Sequence, residues 1–420
     1  MKIIADLHIH SPYSRAVSRD MTLENLAAWA AKKGITIMGT GDFTHPKWMA
    51  EIKTKLEPAE PGLFRLKAAS GAASATRFLL SVEIASIYSK GGKVRRIHNL
   101  VFAPSIEAAG RINEALGWRG NLAADGRPIL GLDAEELAKI VFDADERAVV
   151  IPAHAWTPWF SVFGSMSGFD SLEECFGAMT PHIFAIETGL SSDPAMNWRL
   201  SALDDMALIS NSDSHSLQRI GREANVLDCE HSYDAVFAAI RSHDERKFLF
   251  TVEFFPEEGK YHYDGHASHQ VRLAPDQTKA RGGKCPVCGK KVTVGVMHRV
   301  DDLADRPASQ KPKGAIPFKS MVPLDEIIAE AFDCGTNTKK VRAEYERLLA
   351  ELGTEFAVLI DAPPEDIGRV AAPAVAEGVR RVRAGKLAIS PGYDGEYGTV
   401  TIFEAEDRAK FAAGQHMLFR

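Results

Sequence analysis

The first ten residues limit the fold more than any other stretch. Met1-Lys2-Ile3-Ile4-Ala5-Asp6-Leu7-His8-Ile9-His10 reads as a buried strand, an apolar run that ends in two histidines one residue apart. With the two-residue period of a strand, both imidazoles point to the same side of the pleat. α/β proteins built on such strands gather their chemistry at the strands' carboxyl ends. A His-x-His there is either a metal site or two ordinary strand-end histidines, and matching ligands at the ends of other strands decide which.

Those other strands can be followed along the chain. A polar loop covers residues 11–20, Thr22 caps a predicted helix through Leu26, Trp29 and Ala30 to Lys33, and Gly34 stops it. A strand at 35–40 follows, then strands at 79–88 and 95–102, helices at 106–116 and 133–142, and strands at 148–152, 183–187 and 207–209. A helix at 233–241 and a strand at 247–252 close the series. Alternation over about 250 residues favours a parallel α/β barrel or a doubly wound sheet.

At 420 residues the chain exceeds one ordinary core, so further units are expected. From about Phe254 the segments become short and polar, and residues 301–319, with Pro307, Pro312 and Pro317, read as a linker or extended arm. The last hundred residues read as helices at 323–332, 338–352 and 370–383, a strand at 355–360, and a strand-turn-strand around Gly392, Gly395 and Gly398. The expected units are 1–255, 256–320 and a mainly helical 321–420.

Apolar content of 45% and charged content of 25% are those of a globular domain, and no apolar run approaches bilayer length. With no signal-type segment at the N-terminus, a cytoplasmic protein without membrane partners is expected. Five cysteines, only Cys285 and Cys288 close together, argue for a metal-binding pair over a disulfide framework. Residues 258–320 hold twelve basic and six acidic side chains within a chain of net charge -6, so the remainder carries about -12. A basic module on an acidic body points either to a polyanionic partner or to a lysine-rich solvated surface.

The strand ends supply the matching ligands. After His8 and His10 come Asp42 and His45 in Gly-Asp-Phe-Thr-His, Glu83, His98, His154, Glu187, and Asp213 with His215. Uncompensated buried charge costs several kcal/mol, and metal ions are the usual compensation. Mixed His and carboxylate ligation suits Zn, Mn, Fe or Mg, and more than four ligands point to two or three ions. Such centres hold a phosphate between ions for in-line displacement, so metal-assisted phosphoester hydrolysis is the expected class. Amidohydrolase-type hydrolysis, which also uses a strand-one His-x-His, competes.

Asp-Leu-His-Ile-His-Ser at 6–11, residues 41–45, Glu83, His98, His154 and Asp-Ser-His at 213–215 resemble the polymerase and histidinol phosphatase (PHP) superfamily. The resemblance implies a distorted seven-stranded α/β barrel with a multi-metal phosphoesterase site. It implies that His8, His10, Glu83 and Asp213 hold one ion, and that Glu83 bridges to a second held by His98 and His154. Asp42 and His215 would serve a third position or the phosphate, and Asp213, Glu83 and His215 would be the catalytic set. Where many members carry Thr-Asp-His after strand two, this chain has Gly-Asp-Phe, its histidine two places later at His45.

Downstream, Cys285-Pro-Val-Cys288-Gly is a zinc-knuckle turn, and His266-x2-His269 offers a second pair, with His262 and His298 competing for one position. One structural zinc is therefore expected, in a module whose Lys279, Arg281, Lys284, Lys290 and Lys291 could clamp a phosphate backbone. PHP-type motifs, then Gly-His-x-x-His, Cys-Pro-x-Cys-Gly, Val294 to Val300, Asn337-Thr-Lys-Lys-Val and a helical end together resemble the endonuclease Q family over essentially the whole chain. Where a cysteine is expected in relatives, this chain has His269.

That resemblance implies a DNA-repair endonuclease that cuts 5′ of deaminated bases (uracil, hypoxanthine, xanthine) and abasic sites, with damaged DNA and replication or repair proteins as partners. A base read by such an enzyme leaves the stack. The aromatic loop after His154 offers Trp156, Trp159 or Phe160 as wall or wedge, or a hydrophobic plug, and Glu187 as support or ligand. A small-molecule phosphoesterase of the histidinol-phosphate type and a non-catalytic DNA-binding scaffold are the alternatives.

Overall fold

The computed structural model describes residues 1–68, 75–404, 406 and 407; the end of the expected helical unit, 408–420, lies outside them. Its spine is β1 (Lys2–Asp6), β2 (Ile37–Gly39), the short β3 (Leu56–Pro58) and β4 (Phe64–Leu66), and the long β5 (Arg77–Lys90) and β6 (Lys93–Ala103). β7 (Ile129–Leu130), β8 (Val149–Pro152), β9 (Ala185–Glu187), β10 (Ala207–Ile209), β11 (Ala224–Asp228) and β12 (Phe248–Glu253) follow.

β1 pairs in parallel with β2, and β2 with β5. The sheet is nevertheless mixed, not the parallel sheet that alternation predicts. β5 turns straight back into β6 through Gly91 and Gly92, both at positive φ, in an antiparallel ladder from Leu80 opposite Ala103 to Lys90 opposite Lys93. A two-residue Gly-Gly turn can join only antiparallel strands, because a parallel pair needs a long crossover. β6 is antiparallel to β8, and β11, which the sequence reading missed, is antiparallel to both β1 and β12. β9 and β10 form a separate parallel pair.

Alternate residues of these strands bury two faces. Ile3, Ala5, Leu79, Leu100, Phe102, Ile151, Ala185 and Ile209 pack in one cluster. Ile4, Val82, Ile84, Val101 and Val150 pack in another with the helices. Burial on both faces is why the strands read as near-continuous apolar runs. The helices begin where capping chemistry puts them: Thr22 accepts from the Asn25 amide, and Ser105, Asp133 and Ser232 cap Ile106–Gly117, Ala134–Ala144 and Tyr233–Arg241.

The C-terminal region is mainly helical, with two corrections. Residues 355–360, expected as a strand, form a helical turn. Thr354 opens it by accepting the Ala357 amide, and Phe356, Val358 and Leu359 are buried. A short apolar run carries no period that separates strand from helix. The helix expected at 370–383 begins three residues later, as Pro373–Arg383, and a separate helix that the sequence reading missed, Pro364–Val370, precedes it, because Pro373 starts a helix readily but disfavours helical backbone just before it.

Residues 301–319, read as a linker or arm, are docked. Arg306 pairs with Asp204, Lys311 lies 5.0 Å over Trp198, and β15 (Phe318–Ser320) joins β12 in parallel. Between them and β12 sit β13 (Asp264–His266) and β14 (Val271–Leu273). The terminal hairpin, β16 (Ala388–Ser390) and β17 (Thr399–Thr401), returns to this segment: Tyr263 donates to the Gly392 carbonyl, and Asp394 accepts from the Ala267 amide at 2.6 Å. Among the described residues no helix is long and apolar enough to cross a membrane.

Candidate metal centres

β1 ends at Asp6, earlier than the sequence reading placed it. The buried Asp6 carboxylate accepts the amides of Ser212 (3.1 Å) and Gly221 (2.9 Å), and the Leu7 amide donates to Asn211 Oδ1 at 2.8 Å. These bonds draw the chain past the strand end against residues 211–214, and they carry His8 and His10 to the same spot.

There the ligand atoms converge. His8 bonds through Nδ1 to Glu187 at 3.0 Å, leaving Nε2 facing Glu83 Oε2 (3.6 Å) and Asp213 Oδ1 (3.5 Å). His10 bonds through Nδ1 to Asp42 at 3.1 Å, and its Nε2 lies 3.3 Å from Glu83 Oε2 and 3.1 Å from Asp213 Oδ1. The other oxygen of Glu83, Oε1, lies 2.6 Å from His98 Nδ1 and 2.9 Å from His154 Nε2, themselves 3.2 Å apart. One carboxylate thus faces two ligand groups, His8–His10–Asp213 and His98–His154.

The surroundings orient these groups. Glu187 also accepts the His154 backbone amide (2.8 Å) and Asn211 Nδ2 (2.9 Å), so it holds the His8 imidazole and the His154 backbone from behind rather than joining the ligand set. Ser11 and Ser14 hydroxyls donate to Asp42 in the same way. Asp42, His154 and Asp213 all have positive φ, at 49°, 29° and 45°, a backbone state uncommon for non-glycine residues. Gly189 permits the His154 turn, since a Cβ there would lie 2.5 Å from His154 Cβ.

Burial and opposed charges shift these groups in opposite directions. Burial pushes the Glu83 and Asp213 carboxyls up, but the surrounding imidazoles override it and hold both well below the usual range. His8 and His10 are driven the opposite way: burial lowers them, but Glu187 and Asp42 lead a set of carboxylates that raises them well above 6.5. Burial takes His98 down to about 4 despite Glu83. Buried His8 Nε2 has no hydrogen-bond partner among the described residues. An orphaned ring nitrogen aimed at two ionised carboxylates fits a metal ion.

Three residues of the sequence-derived metal set stand outside these groups. Asp42 sits behind His10, His215 lies at the mouth with its ring 4.7 Å from that of His10, and His45 stacks on Tyr13 at 4.4 Å and caps the helix Pro46–Lys55. Trp156 must be corrected as a wall or wedge: it is buried, packed on Phe163, and donates its indole N–H to Asn197 at 2.7 Å. Trp159 is exposed beside Tyr261, and the Phe160 ring lies tilted against His98 at 4.6 Å. Sequence reasoning missed Arg127, whose Nη1 is 3.1 Å from Glu83 Oε2, and Arg222, which donates to the Ser212 carbonyl. Their loops carry no motif that marks them.

A second group lies in the 256–300 segment. His266 and His269 Nδ1 atoms are 3.0 Å apart, and Cys285 Sγ to His269 and Cys288 Sγ to His266 each measure 3.5 Å. Against burial, which raises it, the Cys288 amide and the His266 imidazole lead the effects that bring the Cys285 thiol down to about 6. His298 is engaged elsewhere, bonded to Asp264 at 2.6 Å, and His262 is buried outside the group. Lys290 and Lys291 are exposed on the knuckle.

Comparison with known proteins places this geometry. The family described as the MJ0043 C-terminal domain matches residues 323–386. MJ0043 of Methanocaldococcus jannaschii is 32% identical over 256 residues, 59% of this chain but only 31% of that protein. YqxK of Bacillus subtilis is 31% identical over 413 residues, covering 95% of this chain and 99% of YqxK. Among solved structures, the lesion-specific endonuclease PfuEndoQ of Pyrococcus furiosus superposes with a TM-score of 0.85 at 33% identity, over 98% of this chain and 99% of that one. Endonuclease Q in complex with a 27-mer duplex bearing an abasic lesion at the active site gives 0.83 at 34% identity, over 96% and 97%. With that likeness spanning both ligand groups and the helical end, the chain belongs to the endonuclease Q family.

Proposed function

We propose that this chain is a metal-dependent DNA-repair endonuclease that hydrolyses the phosphodiester 5′ of deaminated bases and abasic sites. The observation that carries it is Glu83, one buried carboxylate whose two oxygens face two separate groups of ligands. Family membership supplies the substrate class, since one relative is a lesion-specific endonuclease and another holds a duplex with an abasic lesion.

In this reading His8, His10, Glu83 and Asp213 hold one divalent ion, and Glu83, His98 and His154 a second. Nitrogen-to-oxygen separations of 2.6–3.6 Å suit ligands sharing an ion at about 2.0–2.2 Å. Bound ions of the Zn, Mn, Fe or Mg type supply Lewis acidity toward the phosphoryl oxygens and the attacking water. Glu187 and Asp42 keep a proton on Nδ1 of His8 and His10, so that Nε2 is the ligating atom. His215 donates its own Nδ1–H to the Asp213 carbonyl (2.9 Å), which leaves Nε2 to exchange a proton at the mouth. Water attacks phosphorus, the bond to the 3′ oxygen breaks, and a proton passes to that oxygen.

His266, His269, Cys285 and Cys288 hold a structural zinc in this reading. Tetrahedral zinc places ligand nitrogen and sulfur about 3.6 Å apart, and the two N···S separations are 3.5 Å. With Lys290 and Lys291 the module contacts the DNA backbone, and Trp159 and Phe160 border the displaced nucleotide. β1, β2, β5, β6, β8, β9 and β10 are read as a distorted seven-stranded barrel, with units at 1–255, 256–320 and 321–420.

The test is incubation with Mg²⁺ or Mn²⁺ and a labelled duplex carrying one deoxyuridine, deoxyinosine or abasic site, beside an undamaged duplex and a simple phosphate ester. Nicking of the damaged duplex alone is expected. Turnover of the ester alone would favour a small-molecule phosphoesterase, and neither reaction would favour a scaffold.

A further inference from the structure

We propose that Arg127 binds the scissile phosphate, donating from its guanidinium to a non-bridging oxygen on which charge builds as water attacks. The inference rests on the endonuclease reading above. Arg127 lies in the loop between the helix Ile106–Gly117 and β7, and no metal-ligand pattern includes it.

Its placement is built in. The Arg127 amide donates to Asp125 Oδ1 at 3.1 Å, the Gly126 amide to the Tyr13 carbonyl at 3.0 Å, and the Ala85 amide to the Pro128 carbonyl at 3.0 Å. Gly126 seats the loop against the centre, since a Cβ there would lie 2.3 Å from both Asp42 Oδ2 and Ser14 Oγ. The loop is therefore tied to β5 on one side and to the residues after β1 on the other. Arg127 cannot be read as a freely solvated side chain.

From this anchor the guanidinium reaches from the buried centre to solvent. Nη1 is 3.1 Å from Glu83 Oε2, Glu83 is fully buried, and the Arg127 side chain keeps 26% of its surface exposed. Among the described residues its side chain makes no other hydrogen bond, so most of its five N–H donors remain for a ligand. A counter-ion serving Glu83 alone has no need of an open face. A partly exposed arginine beside a site of phosphoryl chemistry, with N–H donors left unpaired, matches the two oxygens a phosphodiester presents. In hydrolysis the bond from water oxygen to phosphorus forms while the bond to the 3′ oxygen breaks, and negative charge builds on the non-bridging oxygens. A fixed donor acts there at the moment of need.

The experiment is a binding cycle that needs no turnover. Affinity for the lesion duplex is measured in Ca²⁺, over intervals in which no nicking is detected, with the scissile linkage either native or a neutral methylphosphonate. Wild type should bind the native linkage at least about tenfold more tightly than one methylphosphonate diastereomer, the scale of a charge-assisted bond. Arg127→Ala should lose that preference, and Arg127→Lys should recover part of it. Nicking by Arg127→Ala should fall about a hundredfold while metal content and melting temperature hold. If Arg127→Ala does not fold, Arg127→Met, which keeps the apolar stem and removes every donor, carries the same comparison.

Additive penalties, or a defect traced wholly to lost metal, would overturn the role of Arg127 and leave the endonuclease reading intact. Failure of the wild type to nick any damaged duplex would overturn that reading and this inference with it.

Discussion

At the scale of single residues, most of the polar chemistry lies in pairs: one group faces the centre and a second fixes its orientation. Glu187 behind His8 is the clearest case, because a carboxylate on Nδ1 sets both tautomer and ring angle. Glu187→Gln should leave the fold intact and weaken metal binding about 10- to 100-fold, read by titrating apo-protein with Mn²⁺ or Zn²⁺. Asp213→Asn should abolish nicking while sparing affinity for lesion DNA, and nicking at wild-type rate with full metal would overturn the assignment. His8, His10, Glu83, His98, His154 and Asp213 were legible as ligand types on or just after strands, although Glu83 and His98 lie in the middle of β5 and β6 rather than at strand ends. Arg127, Arg222 and Ser14 were not, because a loop has no period to say which side chain turns inward.

At the scale of elements, the aromatic loop after β8 and the helix Val296–Leu303 act together. Arg299 on that helix donates to the carbonyls of Phe163 (3.0 Å) and Phe169 (2.9 Å) and pairs with Asp170, tying the zinc-type module to the loop that follows His154. Arg299→Ala should release the loop and weaken lesion binding about tenfold with the metal content of the Glu83 centre unchanged, measured by fluorescence anisotropy beside elemental analysis; each bond to a charged donor contributes about 1.5–3 kcal/mol. The two tryptophans should separate cleanly. Trp156→Ala should cost about 3–5 kcal/mol of stability as a buried aromatic, whereas Trp159→Ala should hold its melting temperature and lose lesion affinity. The first helix start was legible because Thr22 announces it, and those near 106, 133 and 233 were read from their apolar period, with Ser105, Asp133 and Ser232 supplying the caps in the structure. The turn at 354–361 was not, since tertiary burial of Phe356 and Leu359, not local period, selects it.

At the scale of the whole molecule, stability should depend on pH through two acids buried behind the centre. Burial pushes Glu253 up to about 8, and burial together with Glu253 holds Glu223 well above its ordinary value. Both folded-state values lie above the unfolded ones, so their contribution is fully present below about pH 4.5 and is lost as pH rises toward 8. Glu253→Gln should therefore flatten the fall in melting temperature between pH 5 and 8, which differential scanning calorimetry would record. A parallel decline in wild type and variant would show that other groups govern it.

The sequence by itself determined the inventory: apolar strands that carry or lead into imidazoles and carboxylates, a Cys-Pro-x-Cys knuckle with a histidine pair, helices and a basic segment. These follow from local rules of period, capping and ligand chemistry, which act over a few residues. Only the tertiary structure decided that Glu83 faces two ligand groups, that Trp156 is core while Trp159 is exposed, and that Arg127 reaches the centre. The reason is physical. Residues 83, 127, 154 and 213 meet through the register and packing of segments far apart in sequence, and a side chain's partner across such a distance is fixed by packing rather than by its neighbours in the chain.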